Sequence, residues 1–144
     1  MTPIRINAGG GQYTDPSGNV WAADYGSPRG YSYVVNSAIA NTPAQGLYQA
    51  VRWNNHVMDY AFPVPAGTRT VTLKFSETYF DSPRQRVFDV SINGQKVLTN
   101  FDIVAEAGRN TAIDKTFQVQ SSGYIDINMV SSIDDPVISA IEVR

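Results

Sequence analysis

The sequence predicts an all-β protein, a sandwich or jelly roll, on three observations. Its apolar residues recur with period two nearly throughout, turn residues break the chain into short runs of roughly 8–12-residue spacing, and no convincing amphipathic helix appears. IRIN (4–7) is the first run, followed by GLYQAVRW (46–53) and VMDYAFPV (57–64), which Asn54-Asn55 separates. After Pro65-Ala66-Gly67 comes RTVTLKF (69–75), with Val71, Leu73 and Phe75 on one face, because successive strand residues point to opposite sides. Arg86 to Ile92 alternates likewise, with Phe88, Val90 and Ile92 together. Asn93-Gly94 then joins it to QKVL as a hairpin, since a type I′ turn needs positive φ at both centres. KTFQVQ (115–120), YIDINMV (124–130) and VISAIEV (137–143) complete the set, parted by Ser121-Ser122-Gly123 and Asp135-Pro136.

One segment resists this scheme. Residues 24 to 45 are rich in Gly, Pro, Ser and Asn and too long for an ordinary connection, which marks a functional or disordered loop. Tyr25, Tyr31 and Tyr33 argue against disorder, which is poor in aromatics. The rings either pin the loop to the sandwich or serve a site.

Composition excludes several function classes. A chain of 144 residues reads as one domain, 1–144, with a single core. Charged residues make up 17% and the net charge is −2, with the basic residues spread along the chain, so no phosphate-binding stripe exists and nucleic acid is set aside. No apolar run approaches the roughly 20 residues of a membrane span, and MTPIRINAGG lacks the apolar core of a signal peptide, so neither membrane insertion nor a targeting segment is expected. Without cysteine there is no disulfide framework and no thiolate site.

Strand parity locates a functional end. In an antiparallel sandwich alternate connections share an end. Counting from GLYQAVRW, the connections at 54–56, 77–85, 99–111 and 131–135 gather together, while the tight turns at 65–68, 93–94 and 121–123 lie opposite. The first group holds Trp53, Tyr79, Phe80 and Asp134-Asp135. Tyr79 and Phe80 sit side by side in SETYFDSPRQ (76–85), where strand alternation lets at most one stay buried. Residues 24–45 begin at the other end but are long enough to fold back.

Catalysis is weakly represented. Glu77, Asp81, Asp134 and Asp135 are the carboxylates a glycoside hydrolase would need, but Asp134 and Asp135 in SSIDDP are ordinary turn residues. His56, the only histidine, follows Asn54-Asn55 as a solvated loop residue, and no G-x-S-x-G elbow is present. No cofactor is indicated. One histidine cannot build a zinc site and the acidic calcium loop is absent, though a structural calcium held between loops would leave no sequence trace. What remains is aromatics beside a carboxylate. Sugar rings lay their C–H faces on Tyr and Trp, and a carboxylate accepts hydroxyl hydrogens. Trp53, Tyr79, Phe80 and Asp134 form such a set, unless Trp53 is a core residue closing its strand.

NAGG (7–10), LYQ–VRW (47–53), LKFSETYF (73–80), VFDVSINGQKVL (87–98), FDIVAEAG (101–108) and DDPVISAIEV (134–143) resemble the malectin domain, also classed as carbohydrate-binding module family 57, in the same order. The resemblance spans nearly the whole chain. It implies an antiparallel β-sandwich of jelly-roll type whose loops form a cleft at one end and bind carbohydrate without hydrolysis. The family's aromatic pair falls on Tyr79 and Phe80, its aspartate on Asp134, and the aromatic closing the LYQ strand on Trp53, where malectin itself has tyrosine. The remaining tyrosine falls best on Tyr31, with Tyr25 and Tyr33 as alternatives. The segment before Asp134 lacks malectin's tyrosine, so its glucose-disaccharide specificity does not carry over. The implied partner is an oligo- or polysaccharide, with a neighbouring catalytic domain in a longer parent, and the implied setting is a secreted or cell-surface bacterial protein. The rival reading is a structural or protein-interaction sandwich without glycan affinity.

Overall fold

A computed structural model describes residues 1–144. The chain opens with β1 (Ile4–Asn7), β2 (Tyr13–Thr14), β3 (Val20–Ala23) and β4 (Tyr31–Val34), then a short helix α1 (Gln45–Gln49). The central run is β5 (Ala50–Trp53), β6 (Val57–Pro63), β7 (Gly67–Phe75), β8 (Val87–Ile92) and β9 (Gln95–Phe101). A second short helix α2 (Ile103–Ala107) precedes β10 (Ile113–Ser121), β11 (Tyr124–Ile133), β12 (Val137–Ile138) and β13 (Ala140–Val143).

Two sheets face each other across the core, one ordered β10-β7-β13-β1-β3-β2 and the other β6-β11-β8-β9. Period-two patterning decides the inward faces. In β11, Ile125, Ile127 and Met129 are buried while Tyr124, Asp126 and Val130 turn outward. Ile6, Val71, Leu73, Phe75 and Ile141 of the larger sheet meet Met58, Tyr60, Phe88, Val90 and Ile127 of the smaller. Phe75, Phe88 and Phe101 form a triangle, with centroid separations of 5.9, 4.9 and 5.5 Å and tilted or edge-on rings. The pairing is antiparallel except between β1 and β3, which run parallel.

A third, three-stranded sheet, β12-β5-β4, stands apart and was not legible as such. There are two further departures. GLYQ is helical rather than extended, and the helix buries the consecutive Leu47 and Tyr48. They pack with Trp21, Ile39 and Ala140 in a second cluster behind the larger sheet. VISAIEV splits at Ser139, whose carbonyl accepts the Ala8 N–H and whose own N–H donates to Lys74, so β12 joins one sheet and β13 another.

Candidate functional site

The separate sheet presents the first wall. Register pairs Val137 with Trp53 and Trp53 with Tyr31, so the three side chains lie in one row on one face. Tyr33, two residues along β4, shares that face by alternation. Tyr31 stacks on Trp53 with centroids 4.7 Å apart and planes 30° apart. Gly30 allows β4 this approach: at φ 129 it occupies a backbone region unfavourable to other residues, and a Cβ there would sit 2.7 Å from the Trp53 carbonyl.

The second wall comes from the turn after β7. Ser76, Glu77 and Thr78 are buried, but Tyr79 is 67% exposed. The Glu77 carboxylate accepts the backbone N–H groups of Tyr79 and Phe80 at 3.2 and 3.3 Å, and this local turn throws the Tyr79 ring outward. Phe80 stays behind it, edge-on to Tyr79 at 4.9 Å and beneath the Arg86 guanidinium at 5.0 Å.

Arg86 joins the loops. Its Nε donates to Glu77 Oε1 at 2.6 Å and Nη2 to Oε2 at 3.3 Å, while Nη1 donates to the Asp135 carbonyl at 2.7 Å and lies 3.3 Å from Asp134 Oδ2. The Arg86 and Glu77 side chains are buried, whereas that of Asp134 is 41% exposed. A register shift between Ser131 and Ile133 turns β11 out of the ladder and into this loop, as bulges beside functional sites commonly do. Asp134 adopts φ 57, a left-handed conformation that aspartate tolerates, and its carbonyl accepts the Ser131 hydroxyl at 2.6 Å.

Between these walls lies a cavity of about 510 Å³, lined by Tyr33, Trp53, Tyr79 and Val137 on its apolar side and Arg86, Asp134 and Asp135 on its polar side. The Tyr33 hydroxyl shares a 3.1 Å hydrogen bond with Thr78, and burial pushes its ionisation above the ordinary tyrosine value, against that bond and the nearby Arg86, so it stays a neutral phenol.

Trp53, Tyr79 and Asp134 therefore come together, as the parity of the connections requires. Tyr31 and Phe80 lie outside the lining, each against a lining ring: the exposed Tyr31 beside Trp53 and Phe80 beside Tyr79. Among the tyrosine alternatives, Tyr33 reaches the cavity, while Tyr25 packs on Phe62 at 6.4 Å. Arg86 was missed, because a lone arginine opening a strand carries no periodic signal. His56 is exposed but not idle: its N–H donates to Asp135 Oδ1 at 3.1 Å and its Nδ1 lies 3.3 Å from Ser131 Oγ, which ties two site loops. Glu77, a carboxylate a hydrolase would need free, is occupied on both oxygens. No group of three or more His, Asp or Glu side chains is arranged to hold a metal ion, and no helix is long and apolar enough to cross a membrane.

A two-sheet sandwich carrying an aromatic cleft with a clasped carboxylate at one end is the class of protein these features define. The malectin domain family model matches residues 2–141, and the chain belongs to that family. It is 32% identical over 120 residues to Malectin-B of Xenopus laevis, covering 79% of this chain and 44% of that protein. Human malectin is 34% identical over 116 residues, with 76% and 40% covered. The chain thus spans less than half the length of the curated relatives it matches. Among solved structures, a Bacteroides uniformis β-glucuronidase superposes with a TM-score of 0.90 at 26% identity, over 99% of this chain but 18% of that one. The expected bacterial secreted or cell-surface parent is corrected by these relatives: malectins of frog, human, zebrafish and mouse match, and they are eukaryotic proteins.

Proposed function

We propose that residues 1–144 form one carbohydrate-binding domain that holds a glycan without cleaving it. The observation that carries this reading is the cavity itself, where rings from the separate sheet and from the turn after β7 flank a carboxylate held by a buried arginine. Trp53 and Tyr79 stack on opposite sides of a sugar, backed by Tyr31 and Phe80. Asp134, half-exposed and paired on one oxygen, accepts hydroxyl hydrogens with the other. The family, and a lining that sets aromatic rings beside the Asp134 and Asp135 carboxylates, favour glucose-containing oligo- or polysaccharides. A role as accessory module beside a catalytic domain fits the small share of the β-glucuronidase chain that this fold occupies.

A broad array of glucans, galactans, xylans and N-glycans tests the reading. Selective binding supports it, and silence across the array overturns it in favour of a structural or protein-interaction sandwich. Fluorescence adds the site: Trp21 is buried in the second cluster, so a ligand-dependent emission change that survives Trp21→Phe reports Trp53. Turnover of a bound glycan, lost in Asp134→Asn, would reject the non-catalytic assignment.

A further inference from the structure

The loop from Ser131 to Asp135 has two sides. Asp134 and Asp135 face the aromatic cavity, but Ser132 and Ile133 line a second cavity of about 290 Å³ together with Arg84, Val87, Asn100 and Asp102. Ile133 and Asp134 are consecutive, so the two linings meet along this one loop. The volume lies just below the roughly 300–1,000 Å³ range of small-molecule pockets, which suits one small unit rather than a chain.

The Ser132 hydroxyl donates to the Val87 carbonyl at 3.4 Å, but the cavity's one cationic donor is uncommitted. Of the 11 basic side chains, Arg84 alone makes neither a hydrogen bond nor an ion pair. Lys74, Lys96, Lys115, Arg5, Arg29, Arg52, Arg86 and Arg144 are ion-paired, and Arg69 and Arg109 donate to carbonyls. Meanwhile the backbone of Arg84 is fixed, at φ 66, by an N–H donated to Asp102 Oδ2 at 2.6 Å. The other Asp102 oxygen accepts from Ala105 N at 3.1 Å, so that carboxylate is spent on structure and leaves the guanidinium free. Ile133, 38% exposed, supplies an apolar contact beside it.

From this arrangement we infer a second sugar subsite. It takes a later unit of the glycan whose first unit occupies the aromatic cavity, so it rests on the carbohydrate reading above. The chain passes over the crest at Ile133–Asp134. The guanidinium of Arg84 donates to the oxygens of the distal unit in its planar fork, and Ile133 covers one C–H face. The two sides of one loop then recognise two units by different means, stacking with a carboxylate acceptor on one and a cationic donor on the other.

Calorimetric titration of the 144-residue protein with glucose oligomers of two, four and six units, α-linked and β-linked, tests this. Affinity is expected to rise by about tenfold or more from the disaccharide to the longer oligomers. Arg84→Gln and Ile133→Ser should abolish that rise while leaving disaccharide affinity unchanged, and circular dichroism verifies their folding. Equal affinity at all lengths, or an equal loss for short and long oligomers in both variants, overturns the subsite and leaves the primary site standing. Absence of binding at every length overturns the subsite and the glucose preference, and the broad glycan array separately decides the carbohydrate reading.

Discussion

Replacing Arg86 by methionine keeps much of the stem's volume but removes the guanidinium. Four polar contacts disappear, two to the Glu77 carboxylate, one to the Asp135 carbonyl and one to Asp134, together with the guanidinium over the Phe80 ring. Glu77 is only 1% exposed and would keep just the N–H groups of Tyr79 and Phe80, at 3.2 and 3.3 Å. Breaking a buried pair in this way costs about 3–5 kcal/mol, because a desolvated charge is left uncompensated. Asp134, with much of its carboxylate in water, adds little to that figure. Against a typical total of about 5–15 kcal/mol, the loss is large but leaves a measurable folded state. Urea unfolding followed by tryptophan emission is the assay, with the midpoint expected to fall and the slope to stay constant. Arg86→Met combined with Glu77→Leu should recover part of the loss, since neither charge is then stranded. A loss below about 1 kcal/mol in the single variant would refute the clasp as a buried, mutually dependent pair.

Further outcomes follow from the same geometry. Ala at Trp53 or at Tyr79 should weaken glycan binding by about 2 kcal/mol in calorimetry, as loss of an anchor ring does, and wild-type affinity in both variants would reject their assignment. Gly30→Ala should cost about 1–3 kcal/mol in unfolding experiments and shift Trp53 emission, whereas Gly11→Ala, with open space around its Cα, should be neutral. The Asp89 carboxyl is held below its ordinary value, chiefly by the Asn100 N–H and then by Lys96, so the folded state binds its proton less readily than the unfolded chain. Its stabilisation is therefore present above about pH 4 and lost as pH falls through its lower folded value, and Asp89→Asn should flatten the acid limb of a stability-against-pH profile.

The strands that carry the core were legible because alternation is a local signal. IRIN matches β1, and the runs at 57–64, 69–75, 115–120 and 124–130 each fall within one residue to a few residues of the observed strands. The Asn93-Gly94 hairpin forms with positive φ at both residues. Helix α2 could have been read: Asp102 caps its start by accepting the Ala105 N–H, and Gly108 at φ 87 ends it, both visible in DIVAEAG. The strand β4 could not, since YSYV is edge-exposed and its pairing with β5 depends on Gly30 rather than on apolar alternation. At the site, residue type and connection parity led to Trp53, Tyr79 and Asp134. Whether Tyr31 or Tyr33 met the cavity was beyond the sequence, because both share one strand face and only the third dimension separates edge from floor.

The single cation at the meeting of two loops gives the proposed recognition surface a division of labour. The residues that anchor it, Glu77 and the Asp135 carbonyl, are sealed from solvent or belong to the backbone, whereas Tyr31, Trp53 and Tyr79 are mounted outside that knot. On the carbohydrate reading proposed above, ring identity can be exchanged like interchangeable jaws on a vice, retuning which sugar is gripped while the screw that fixes jaw separation is left alone.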